Sequence, residues 1–194
     1  FLESMQERQV TADLETVMLP RPFMLLATQN PIELEGTFAL PEAQLDRFLL
    51  RLSLGYPTVA EENGMLERLR DDQPLEVLKS VLSTDSLEAL QATSRTVYVS
   101  EPVRDYITAV CRATRSAPSL RLGASPRATL ALQQASQALA GTGGRDFVTP
   151  DDVKRLAVPV LAHRVLLETS ASVHGLTTTA AIEKLLSVVP VPVE

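Results

Sequence analysis

Apolar positions fall into two regimes along this chain: short dense runs before Tyr56-Pro57 and helical stripes after it. Phe23 to Ala27 is an unbroken apolar run, the pattern of a strand buried on both faces as in a parallel sheet. Leu50, Leu52 and Leu54 alternate with Arg51 and Ser53, so Phe48 to Leu54 predicts a second strand with one wet face. Between Gln6 and Arg21, Thr11, Val17 and Leu19 around Asp13 predict a β-hairpin.

Beyond Pro57 the period changes to that of helices. Met65, Leu66 and Leu69 begin one, and Leu87 and Leu90 belong to another with Ser83 or Thr84 as its N-cap. Val103, Tyr106, Ile107, Val110 and Cys111 make an i, i+3, i+4, i+7, i+8 stripe. Ser125-Pro126 supplies a cap and a first-position proline for a helix whose apolar face runs through Leu132, Ala135 and Leu139. The run Gly141-Thr142-Gly143-Gly144 stops it. Thr149-Pro150-Asp151-Asp152 opens the next helix with two acids at its positive end, and Val153, Leu156, Ala157, Val160 and Leu161 form its buried stripe. Pro159 should kink or break that helix, since proline lacks an N–H and crowds the preceding turn. Ile182, Leu185, Leu186 and Val189 mark a last short helix before Pro190-Val191-Pro192. The expected organisation is a small α/β part over residues 1–56 and an α-helical domain of five or six helices over residues 57–194.

Three polar positions stand out against this frame. Asn30 follows the first apolar run and precedes Pro31; alone, Asn-Pro reads as a turn. Arg47 ends the stretch Leu40-Pro41-Glu42-Ala43-Gln44-Leu45-Asp46-Arg47; alone, Asp-Arg reads as ordinary surface. Arg127 lies in the first turn of the helix capped by Ser125, where a cation opposes the helix dipole by about 0.3–1 kcal/mol. A local rule broken in this way points to a function.

The wording ATQNP, EGTFALPEAQLDRFLLR and GASPRA, over residues 27–31, 35–51 and 123–128, resembles the MoxR branch of the AAA+ ATPases. The resemblance extends over essentially the whole chain. It implies the second half of a AAA+ P-loop core, a hairpin plus two strands, followed by a helical lid domain. In such enzymes an Asn at a strand's carboxyl end senses the γ-phosphate, which would be Asn30. An Arg before the next strand reaches the neighbouring subunit's nucleotide, which would be Arg47. A lid arginine, here Arg127, reports phosphate occupancy. The family implies ATP and Mg²⁺ in the full-length protein and a ring of copies, usually a hexamer. It also implies client proteins remodelled in a chaperone-like way, some with a von Willebrand-type domain. Within the resemblance, Phe1 to Val10 looks like the helix that follows the Mg²⁺-binding strand, with Glu7 and Arg8 in the family's pattern. His163-Arg164 resembles a pair near the nucleotide cleft, although His163 by itself reads as a satisfied structural histidine.

A Walker A loop is missing from these residues. It requires a glycine-rich backbone followed by Lys and Ser or Thr, because N–H groups and the ammonium neutralise the phosphates. The three lysines, Lys79, Lys154 and Lys184, have no such context, and no apolar strand ends in Asp-Glu to hold Mg²⁺. The chain therefore reads as a carboxyl-terminal part of a longer ATPase, inactive by itself and expected to carry no nucleotide. In the family, the strand with the phosphate loop lies between the two strands expected here, so about the first 55 residues are expected to be rearranged, paired with another copy, or stabilised by crystal contacts. A non-enzymatic helical interaction module descended from an ATPase is the alternative, and the upstream sequence would discriminate.

Composition narrows the field. A net charge of −6 with no basic cluster argues against nucleic acid as the main partner and against a DNA-binding helical domain. One cysteine, Cys111, excludes an internal disulfide framework and fits a reducing cytoplasmic setting; its place on a helical stripe marks it as core. No apolar run approaches the roughly 18–20 residues of a membrane span, and the scattered His and Cys give no metal-binding spacing.

Overall fold

A computed structural model describes residues 2–12, 15–29, 40–68 and 78–192 of the chain. Helix α1 (Leu2–Glu7) leads into a hairpin of β1 (Gln9–Ala12) and β2 (Glu15–Met18), antiparallel with Val10 opposite Val17. Glu3 ties the helix to the hairpin by accepting from the Thr11 amide at 3.1 Å, the Thr11 hydroxyl at 2.7 Å and Gln9 Nε2 at 2.8 Å. Those bonds favour the carboxylate and lower its pKa. Arg8, at the junction, adopts a left-handed φ of 53°.

The hairpin is where the sequence places it; the two strands are not. Residues 23–29 and 48–54 lie outside any sheet among the described residues. The reason is the ladder: a strand of a parallel sheet is held by neighbours on its edges, and here neither segment has a partner strand. Their apolar side chains stay bare, Met24, Leu26, Leu52, Leu54 and Tyr56 all being largely exposed. Between them the short helix α2 (Glu42–Leu45) continues as a tight turn, with the Arg47 amide donating to Gln44 O and the Phe48 amide to Leu45 O, both at 3.1 Å.

Beyond residue 57 the described helices are α3 (Val59–Arg68), α4 (Thr84–Ser94), α5 (Glu101–Ser116), α6 (Pro126–Thr142), α7 (Pro150–Leu161), α8 (Thr169–Val173) and α9 (Thr178–Val188). These are seven helices among the described residues, against five or six expected; the additional turns are short. A small ribbon of β3 (Leu120–Leu122) and β4 (Leu166–Leu167) was not legible either, being only three and two residues long. The core lies among α5, α6, α7 and α9, where Ile107, Leu132, Leu161 and Ile182 are fully buried. Cys111 belongs to this core, and burial pushes its thiol up.

Caps fix the helix starts as expected. Ser83 accepts from the Ser86 amide to open α4, and Thr149 forms a capping box with Asp152 to open α7. Pro159 does not break α7 at once; the helix runs two residues further, to Leu161. Pro159 cannot donate to Arg155 O, so the helix loses one bond there yet continues past it.

Asp152 does more than cap. Its carboxylate takes two bonds from Arg145, at 2.8 and 2.6 Å, and accepts the Thr149 amide at 2.8 Å. Burial pushes its pKa up, but the Arg145 and Thr149 bonds outweigh that, so the group ends below the usual carboxylate value. A lowered folded-state pKa means the stabilisation is present above the unfolded carboxylate's pKa and fades as pH falls through the folded one. Asp152→Ala should cost about 2 kcal/mol at pH 7, from a lost cap and charge-assisted bonds. In urea unfolding at a series of pH values, the gap between wild type and variant should close toward acid.

Candidate functional site around Asp46

Helix α7 ends with four carbonyls that no further turn can satisfy. Each has a named donor. Val158 O accepts the Ala162 amide at 3.0 Å and Leu161 O the Arg164 amide at 2.9 Å. Pro159 O accepts the Arg51 amide at 2.9 Å, and Val160 O accepts Arg164 Nη1 at 2.8 Å. One of the four donors thus comes from residue 51, far back in the chain, and another from a buried guanidinium. A cation at the negative end of a helix is favourably placed.

Arg164 reaches from that helix end to the segment after α2. Its Nη2 donates to Phe48 O at 2.6 Å and its Nε to Asp46 O at 3.2 Å, while Nε lies 3.3 Å from Asp46 Oδ1. The side chain is 1% exposed. Burial pulls its pKa down and the Asp46 carboxylate pushes it back up, the balance being below the ordinary value. An arginine remains charged under these conditions, so the buried cation depends on this acid and these carbonyls. His163 completes the attachment, with Nε2 3.0 Å from the same Phe48 carbonyl. A carbonyl only accepts, so Nε2 carries the proton. Burial lowers the His163 pKa, partly offset by that bond. His163 therefore acts as a structural donor.

The Asp46 carboxylate gathers a second set of groups from the start of α6. Ser125 Oγ donates to Oδ1 at 3.0 Å and to Oδ2 at 3.1 Å, and Arg127 Nη1 stands 3.7 Å from Oδ2. Ser125 is the N-cap residue in position, but its hydroxyl serves Asp46 rather than the helix amides. The cation that looked misplaced at a helix start is thus offset by an acid from another element. Its own placement is rigid. Thr114 Oγ1 accepts the Ala124 amide at 2.9 Å, and Arg115 Nε donates to Ala124 O at 2.8 Å. Gly123 lies so near the end of α5 that an added Cβ would stand 2.6 Å from the Arg115 Cα. Only glycine fits there, and this contact sets where α6 begins.

Arg47 follows Asp46 directly, and its Nε is buried without a hydrogen-bond partner among the described residues. Such an orphan donor is uncommon and calls for an acceptor. The structure thus brings Arg127 to the Asp46 carboxylate by ion pairing, whereas Arg47 is joined to that cluster only through the backbone beside Asp46. Asn30 lies outside the described residues. Sequence reasoning missed Asp46, and gave Ser125 only as a helix cap and Arg164 only as half of the His163-Arg164 pair; His163 makes the structural hydrogen bond expected of it. The larger surface cavity, about 540 Å³ and lined by Tyr98, Val103, Phe147 and Pro192 among others, contains none of these residues and no cation. Among the described residues no group of three or more His, Cys, Asp or Glu could hold a metal ion, and no helix is long and apolar enough to cross a membrane.

Residues 1–50 match the family model described as "ATPase family associated with various cellular activities (AAA)", and residues 112–185 match the AAA lid domain. Chaperone MoxR1 of Mycobacterium tuberculosis is 39% identical over 99% of this chain and 53% of its own length. The chain belongs to the MoxR-type AAA+ ATPases. YeaC of Bacillus subtilis is 42% identical over the whole chain and 61% of its own length, and MoxR of Paracoccus denitrificans 30% identical over 99% and 62%. A Cytophaga hutchinsonii crystal structure, of a protein named as a candidate ATPase, superposes with a TM-score of 0.91 at 35% identity, covering 99% of this chain and 61% of that one. The chain thus spans between 53% and 62% of these proteins' lengths.

The superposition holds although residues 23–29 and 48–54 lack ladder partners among the described residues. Residues 46–51 are attached to the end of α7 through the Arg51 amide and the Arg164 guanidinium. Arg164→Lys should weaken that attachment, because a single ammonium cannot reach two backbone carbonyls of the segment and Val160 O together. The Arg51 amide should then exchange with solvent roughly tenfold faster or more, with amides inside α6 unchanged.

Proposed function

We propose that this chain is the sensor and lid portion of a ring-forming MoxR-type ATPase, and that a preceding segment of the same polypeptide supplies the phosphate loop and the Mg²⁺ ligands. Residues 1–56 are the end of the α/β core and residues 57–194 the lid. The observation that carries this reading is the Asp46 cluster. It holds one half-exposed guanidinium, Arg127, and fixes the backbone beside another, Arg47, whose Nε is buried and unpartnered. Two such donors suit an anion bearing several phosphates.

In this reading ATP lies between adjacent copies. Asn30 orients the γ-phosphate region in its own subunit, Arg47 reaches the neighbour's nucleotide, and Arg127 couples the angle of the lid to phosphate occupancy. Bound ATP supplies the phosphoryl group; the chain's own part is to place two cations where negative charge develops in the transition state. The bare side chains of Met24, Leu26, Leu52 and Leu54 suit the reading too, as positions that the strand carrying the phosphate loop would cover. The portion alone does not hydrolyse ATP. The intact ring, a hexamer, acts in the cytoplasm as a chaperone-like remodeller of client proteins, including partners with a von Willebrand-type domain.

Arg47→Ala in the full-length protein should lower ATP turnover by about 10³-fold or more, the usual worth of such a residue. Nucleotide binding should remain near wild type by equilibrium titration. Unchanged turnover in that variant would remove Arg47 from the mechanism.

A further inference from the structure

Two arginines face the Asp46 carboxylate on unequal terms. Arg164 is 1% exposed, sits at the end of α7 and donates to Val160 O, Phe48 O and Asp46 O. It has no route to another partner without leaving several buried acceptors unmet. Arg127 is 49% exposed, and at 3.7 Å its approach to Asp46 is an ion pair beyond hydrogen-bond range. Its guanidinium has that ion pair as its one contact among the described residues. Asp46 itself is 22% exposed and is secured without Arg127, through Ser125 and Arg164.

From this asymmetry we infer that Asp46 is the resting partner of Arg127 and competes with nucleotide phosphate for it. Asp46 is then a positioning residue for nucleotide binding. The inference rests on the reading of Arg127 as a phosphate contact. When phosphate arrives, Arg127 exchanges one anion for another. The Asp46–Arg164 pair stays closed and keeps residues 46–51 on α7. What opens is a latch between α6 and the segment bearing Arg47. The empty state is held by Asp46–Arg127, the occupied state by phosphate–Arg127, and the same cation cannot serve both fully. Removing the competing charge therefore shifts the equilibrium toward the bound state by as much as the latch is worth. A partly exposed ion pair sets that at about two- to fivefold in affinity.

The test is a double-mutant cycle in the full-length protein, using a fluorescent ATPγS with Mg²⁺ as the probe. Asp46→Asn keeps an acceptor for Ser125 but discards the charge, and should tighten the probe's Kd about two- to fivefold. In the Arg127→Ala background the same change should have no effect, because the cation under competition is gone. Ser125→Ala provides an independent arm should Asp46→Asn fold poorly. With the hydroxyl removed, the full carboxylate charge is left to Arg127, and the probe should bind about twofold more weakly, again only when Arg127 is present. Purely structural roles would weaken binding in both backgrounds. Asp46→Asn that loosens binding, or tightens it equally with and without Arg127, overturns the latch. Should Arg127→Ala alone leave the probe's Kd unchanged, the phosphate-contact reading falls instead.

Discussion

The free carbonyls at the end of α7 are the constraint on which this structure turns. A helix cannot stop inside a protein without finding donors for its last turn, and here the donors are the Ala162 and Arg164 amides, the Arg51 amide and the Arg164 guanidinium. Once a guanidinium is committed to that place it is buried, and a buried cation needs an anion. Asp46 meets the need. The same few bonds therefore end a helix, neutralise a charge and fasten residues 46–51 to the lid. None of the three could be dropped without exposing the others to an unmet desolvation cost.

This economy also holds the segment beside Arg47 in place. The described residues before 57 have little core of their own, and several of their apolar side chains face solvent. Precision comes from the lid. Gly123 and Thr114 fix the start of α6 against α5, Ser125 passes that position to Asp46, and the Asp46 backbone passes it to Arg47. The Asp46 carboxylate, touched from both sides, links the start of α6 to the segment that bears Arg47. The two arginines differ in kind: Arg127 is half-exposed and held by one long ion pair, whereas Arg164 is buried and bonded to several carbonyls.

Stripe and cap signals were legible because they are local. Val103 to Cys111, the cap-and-proline openings at Ser125 and Thr149, and the stop at Gly143 needed only neighbours three or four residues away. The strand patterns at 23–28 and 48–54 were read from apolar runs, yet a strand is defined by a partner, and a run cannot say whether the partner is present. In the candidate site, Arg47 and Arg127 stood out by their wording and their odd helix position, and Asn30 by its place after a strand-like run. Asp46 did not stand out, because an acid next to an arginine in sequence looks like that arginine's own partner.

By itself, then, the order of residues settled the helical lid, its caps, the hairpin and the MoxR-type family. Those depend on contacts within a turn or two, or on wording shared across relatives. Only the folded chain decided which charges meet. Asp46 and Arg164 are 118 residues apart, and Ser125 lies 79 residues from Asp46. Pairing over such distances is set by where α5, α6 and α7 pack, a property of the whole core that no local pattern encodes.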